Sequence, residues 1–338
     1  MKIKPIYQLI FMILLMLLVI GIILKDDYSI ILIQLSKISL IAYLPILFLC
    51  ASLGMIQGWI LYRLAKPYQT NFKISEGILF AFSGSFFNSV TPLGGGQVSL
   101  TYILRKKHFS YTEIAAILWK DFFLFQLALI ITVTMILGIS MKQALLAFPK
   151  TVVWILFGYC INISVILFLY SMNRFPQLYI KISSLLILFL KKLHFIQDPE
   201  TLFIKGKDMI DQFNIHTSQL KQNKKETFLI IITHGCRLLL LYAVPYLIAL
   251  LLQLPLTLED LFRVISISCF VHMLNALTPL PGDAGWSEGM FIFLFMSMFT
   301  KSAAVSMMIL WRFATFYLNI ILGACCFIML KRKYESSK

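Results

Sequence analysis

Two short stretches of this chain bring backbone breaks and polar side chains into otherwise apolar sequence. The first is Asn88-Ser89-Val90-Thr91-Pro92-Leu93-Gly94-Gly95-Gly96-Gln97. The second is Asn275-Ala276-Leu277-Thr278-Pro279-Leu280-Pro281-Gly282-Asp283-Ala284-Gly285. Proline ends a helix by removing a donor and clashing with the preceding turn; clustered glycine ends it through backbone entropy. A half-helix that begins after such a break turns free N–H groups and partial positive charge toward whatever faces it, which suits an anion such as phosphate. Gly94, Gly95 and Gly96 let backbone approach a ligand closely. Charged residues accompany both stretches: Lys120-Asp121 follows the first, and Asp283, Glu288 and Arg312 go with the second. An arginine grips a phosphate through two parallel hydrogen bonds, whereas a lysine acts as a point charge. Asp283 and Glu288 have three open readings: pairing with the arginine, contacting a cationic or sugar head group, or carrying a coupling proton. The side chains of Asn88 and Asn275 suit the capping of broken helix ends.

The elements that must hold these residues are membrane helices. The chain has 338 residues, of which 59% are hydrophobic and 13% charged, and its mean hydropathy is +0.86. A soluble domain is nearer half apolar and about a quarter charged. The net charge of +15 fits basic cytoplasmic loops and contact with anionic lipid, and no nucleic-acid-binding module is visible. Cys50, Cys160, Cys236, Cys269, Cys325 and Cys326 lie in apolar segments without metal spacing, so no metal or cofactor is expected. Lys2 and Lys4 precede an apolar run with no small-residue cleavage site after it, which reads as a retained first helix.

Full spans are expected at about 5–24, 38–62, 112–139, 149–171, 227–252 and 302–330. The stretches 75–104 and 260–299 hold the two breaks, with a first short arm expected from Ile78 to Phe87. Their arms fall short of the roughly 20 residues a crossing needs, so each is expected to be a re-entrant hairpin. The expected fold is therefore all-α and polytopic: about six full transmembrane helices plus two re-entrant helical hairpins in an inverted repeat. It forms one domain with a first half at 1–171, a cytoplasmic connector at 172–226 and a second half at 227–338. Within the connector, Leu178 to Leu193 is amphipathic and expected on the membrane surface, with short helices after it. Positive-inside counting puts both termini in the cytoplasm, because Arg63, Arg105-Lys106-Lys107, the connector and Lys331-Arg332-Lys333 then all fall inside. Three crossings separate the hairpins, so they enter from opposite sides, the inverted logic of alternating-access carriers. The tetrapeptides Ile117-Leu118-Trp119-Lys120 and Ile309-Leu310-Trp311-Arg312 echo the same repeat.

A charge at membrane depth costs about 2.5–3.5 kcal/mol on insertion scales. Lys120, Asp121 and Arg312 lie well inside their spans and read as functional. For Glu76 and Arg237, snorkelling to an interface competes with a role at depth. His234 and His272 read as hydrogen-bonded packing residues. Asp26-Asp27 reads as a solvated charge pair at a helix end rather than a metal and sugar-phosphate site.

At these residues the chain resembles the lysylphosphatidylglycerol synthase transmembrane (flippase-like) family, which includes the membrane region of the bacterial multiple peptide resistance factor. The resemblance rests on Asn88 with Pro92, Gly95 and Gly96, on Lys120-Asp121, on Pro281, Gly282, Gly285 and Glu288, and on Arg312, and it runs over nearly the whole chain. The chain departs from the pattern in two places. Gln97 to Thr101 lack the family's early arginine, the next basic residue being Arg105, and Lys120-Asp121 stands where the family commonly has Asp-Arg. Both departures bear on head-group chemistry.

The resemblance implies movement of a charged or phosphate-bearing lipid between the leaflets of a bacterial plasma membrane, and with it a connection to antibiotic resistance. Such a lipid would be an aminoacylated phosphatidylglycerol or a polyprenyl-phosphate lipid. The expected head-group residues are Asn88, Thr91, Pro92, Gly94, Gly95, Gly96, Gln97, Lys120, Asp121, Asn275, Thr278, Pro279, Gly282, Asp283, Gly285, Glu288 and Arg312, with no catalytic residue. The expected partners are the lipid and a separate lipid-modifying enzyme. Two alternatives stand beside this reading. One is a phosphatidylglycerol lysyltransferase, for which tRNA would be a nucleic-acid partner, although no soluble aminoacyltransferase domain is expected within these residues. The other is an accessory subunit of a lipid-modifying enzyme.

Overall fold

The computed structural model describes residues 33, 35–36, 38–91, 95–192, 199–278 and 281–335. The expected span at 5–24, Asp26-Asp27, and the site residues Pro92, Gly94 and Pro279 lie outside the described residues. Among the described residues the regular structure is helical throughout. Five stretches are long and apolar enough to cross a membrane: α1 (Leu40–Ala65), α4 (Tyr111–Ala147), α5 (Thr151–Arg174), α8 (Lys224–Leu251) and the run Lys301–Lys333. They correspond to the remaining expected spans. The last of them comprises α11 (Lys301–Arg312), a π-helical turn at Phe313–Tyr317 and α12 (Leu318–Glu335).

Both expected breaks interrupt helix. The first element is α2 (Ile74–Val90) and α3 (Gly95–Lys106); the second is α9 (Asp260–Asn275) and α10 (Trp286–Phe295), joined through a 3-10 turn at Pro281–Asp283. Each element folds back on itself. Lys107 Nζ lies 2.5 Å from Glu76 Oε1, so the start of α2 meets the end of α3. Arg263 near the start of α9 and Ser297 and Met298 after α10 line one small cavity. The first arm is longer than expected: α2 has 17 residues, about 25 Å at 1.5 Å per residue.

Small residues let α2 sit deep in the bundle. A side chain on Gly58 of α1 would strike the backbone of Ile78, one on Gly77 would strike the Gly58 carbonyl, and one on Gly323 of α12 would strike the Phe82 carbonyl. Three helices thus meet at backbone distance, the contact that drives helix association in lipid. Ion pairs gather the basic end of the bundle. Arg63 Nε donates to Glu226 Oε1 at 2.7 Å, and Glu76 takes Lys333 at 3.0 Å as well as Lys107.

The connector departs from expectation. The amphipathic α6 (Pro176–Lys192) is present, but one helix, α7 (Pro199–Gln222), replaces the expected short ones. Pro199 suits a first helical position. Gly206 is carried inside the helix because α7 packs on α4, where Phe213 meets the Trp119 ring edge-on at 5.8 Å.

Among the described residues two large hydrophobic cores and a small third one result. One surrounds the first broken element and includes Phe80, Ile103, Leu104 and Ile117. The other surrounds the second and includes Phe270, Phe291, Phe295 and Met307. The third, Val90, Ala284 and Phe316, packs residues of both breaks together.

Candidate functional site

The second break needs unusual backbone. Gly282 has φ 59°, Asp283 φ 52° and Gly285 φ 81°, all left-handed values that glycine adopts freely and aspartate tolerates. Arg312 fastens this turn. Its Nη1 donates to the Gly282 carbonyl at 3.2 Å and its Nη2 to the Asp283 carbonyl at 3.3 Å. Nη2 also donates to Glu288 Oε2 at 2.9 Å, while Nε lies 2.9 Å from Oε1. Glu288 Oε2 accepts the Gly285 N–H at 2.7 Å as well. At the first break, Asn88 Oδ1 accepts the Gly96 N–H at 3.0 Å. A side chain at Gly96 would collide with Asn88 and the Gly84 carbonyl, and one at Gly95 with Thr91. Amides at both half-helix starts are therefore met by the chain's own side chains.

Two cavities with polar side chains set in largely apolar walls lie beside the breaks. The first, about 730 Å³, is walled by Asn88, Gln97, Trp119, Asp121 and His234 among others. The second, about 350 Å³, is walled by His272, Asn275, Asp283, Ser287, Trp311 and Arg312 among others. Gln57, Ser85, Phe125 and Arg237 line both, so the chambers adjoin across one shared wall. The corresponding residues of the two sequence stretches divide between them: Asn88 and Trp119 face the first, Asn275 and Trp311 the second.

The charges of the first chamber are ordered by neighbours. Gln57 Nε2 donates to both Asp121 oxygens, at 3.1 and 3.0 Å, and His234 Nε2 lies 3.4 Å from Oδ1. Arg237 sits over the Phe125 ring, 5.8 Å from its centroid. Its Nε is shielded from solvent and has no acceptor among the described residues.

The expected site residues thus fall into groups. Asn88, Gln97, Asp121, Asn275, Asp283 and Arg312 line the chambers. Gly95, Gly96, Gly282, Gly285 and Glu288 build the breaks behind them. Thr91 donates to the Phe87 carbonyl at 2.5 Å as its helix ends, and Thr278 follows α9; neither is in a chamber wall. Lys120 is not there either: its buried ammonium donates to Tyr68 Oη at 2.8 Å, while its neighbour Asp121 faces the first chamber.

Arg237, Gln57, Ser85 and Phe125 were not among the expected head-group residues. The signal for Arg237 was a charge 13 residues into the apolar α8, about 20 Å from the helix start. His234 and His272, expected as packing residues, line one chamber each. Asn275 Nδ2 donates to Ser287 Oγ at 3.0 Å, pinning the break through a side chain rather than capping an amide.

Fold and site together define a multi-pass α-helical membrane protein with a divided cavity between two interrupted helical elements. The chain belongs to the family described as lysylphosphatidylglycerol synthase TM region, whose sequence model matches residues 6–323. No curated protein matches it. The family places the chain in membrane lipid chemistry.

Proposed function

We propose that this protein carries the head group of a charged or phosphate-bearing lipid from one leaflet to the other while the tails stay in hydrocarbon. The observation that supports this reading most is the wall of Gln57, Ser85, Phe125 and Arg237 common to both chambers. A head group leaving one chamber across that wall is already in the next. Gln57, Ser85 and Arg237 in that wall replace part of the hydration that a phosphate loses on leaving water, the main barrier to unaided crossing.

The two broken elements act as re-entrant hairpins entering from opposite sides, as halves of an inverted repeat. The paired placement of Asn88 with Asn275 and of Trp119 with Trp311 supports that symmetry. The cluster of Arg63, Lys107 and Lys333 faces the cytoplasm of a bacterial cell under the positive-inside rule. An enzyme that modifies the lipid is its natural partner. What supports translocation over synthesis is that charged and polar side chains line two adjoining chambers within the bundle.

The test is a leaflet-exposure assay on proteoliposomes carrying a fluorescent phosphatidylglycerol. Vesicles containing the protein expose inner-leaflet probe to an external quencher faster than protein-free vesicles. Equal exposure in the two would overturn the reading.

A further inference from the structure

Resting on that translocation reading, we propose that Arg237 is the anion-binding group at the crossing point, and that it selects a lipid bearing a single phosphodiester. Three observations carry this. Arg237 is the only one of the charged residues named in the chamber walls that lines both chambers. Its Nε is shielded and has no acceptor among the described residues, and its ring partner Phe125 supplies no oxygen. A buried donor without an acceptor is costly, and an anion would complete it.

Two of the other charges in the walls, Arg312 and Asp121, are already engaged. Arg312 is held by Glu288 and by the Gly282 and Asp283 carbonyls. Asp121 accepts two hydrogen bonds from Gln57 Nε2. A phosphate arriving in either chamber therefore meets a guanidinium with donors to offer at the boundary of the two, and can keep that contact while its head group changes chamber. Guanidinium geometry matches two phosphate oxygens at once.

Charge limits the ligand further. Asp121 lines the chamber on one side of Arg237 and Asp283 the chamber on the other. Asp121 and Asp283 already offset the charge of Arg237, so the ligand's own charge must stay low, as the single negative charge of a phosphodiester does. The higher charge of a diphosphate would be repelled from both sides.

Native mass spectrometry of the full chain tests this with phosphatidylglycerol, the matching diacylglycerol and farnesyl diphosphate as probes. The wild type is expected to retain phosphatidylglycerol about tenfold or more over diacylglycerol, the scale of one charge-assisted hydrogen bond, and over farnesyl diphosphate. Arg237→Gln loses that preference and Arg237→Lys restores part of it. A wild type that holds diacylglycerol or farnesyl diphosphate as well as phosphatidylglycerol overturns the proposal even if neither variant folds. Stabilisation of the wild type by inorganic phosphate equal to that by phosphatidylglycerol overturns the lipid assignment in favour of a soluble anion. Leaflet exposure separates the two claims. Unchanged transfer in Arg237→Gln removes the site and leaves translocation standing; Arg237-dependent retention without transfer keeps the site and removes translocation.

Discussion

Arg312 and Glu288 meet in a two-point ion pair, Nε 2.9 Å from Oε1 and Nη2 2.9 Å from Oε2, with only 6% and 2% of their surfaces accessible. The same guanidinium holds two carbonyls of the break, and the same carboxylate caps α10. The fork that a lipid phosphate would need is thus engaged by the protein. Arg312 acts first as the fastening of the second broken element and only then as part of a chamber wall.

Removing one partner should therefore cost stability. Arg312→Ala or Glu288→Gln leaves a buried group uncompensated, at a cost of about 3–5 kcal/mol. The apolar pair Arg312→Met with Glu288→Leu should recover much of that loss, because neither charge is then left behind. Tryptophan fluorescence during denaturation in detergent measures the difference. Single variants as stable as the wild type would contradict this role.

Close backbone contact between α1 and α2 makes a second prediction. A methyl group at Gly58 meets the Ile78 backbone, which cannot swing aside as a side chain can. Gly58→Ala should destabilise the bundle by about 1–3 kcal/mol. Gly206→Ala, on an open face of α7, should stabilise slightly, since alanine is the better helix former. The same denaturation measurement checks both, and equal effects would count against the packing described.

Glu76 makes stability depend on pH. Burial by itself would raise its carboxyl, but Lys107, Lys333 and the Lys73 amide outweigh burial and hold it below the ordinary glutamate value. A depressed native value favours the folded state wherever the unfolded carboxyl is also ionised, above about pH 4.3. That contribution declines as pH falls below this point and is gone once pH has passed the lower, native value. Glu76→Gln should be less stable than the wild type at neutral pH and lose less on acidification. Unfolding temperatures of the two, followed from neutral to acid pH, should converge; parallel curves would contradict the linkage.

Much of the architecture could be read from residue order, and the reasons are local. Pro92, Pro279 and the glycine clusters stop helices whatever surrounds them, so the breaks were evident. The capping by Asn88 was also readable, because an asparagine beside a break can reach the free amides of the half-helix that follows. The choice between Lys120 and Asp121 was not readable. Neighbouring helical residues point about 100° apart, so only one faces the chamber, and which one depends on where α7 and Tyr68 pack. For Arg237 the sequence left snorkelling and a role at depth both open, because the packing that sets it between the two cavities is not written in α8 itself. That α7 is a single helix was not readable because Gly206, a poor helix former, stands inside it, and contact with α4 carries that glycine.

The most direct test of the account is to fill the shared wall. Ser85 borders both chambers, and a tryptophan there has cavity to occupy rather than core to displace. Leaflet exposure of fluorescent phosphatidylglycerol should fall to the protein-free rate in Ser85→Trp vesicles, while the unfolding temperature stays near that of the wild type. Undiminished transfer through a folded Ser85→Trp protein would show that head groups do not pass between these two chambers.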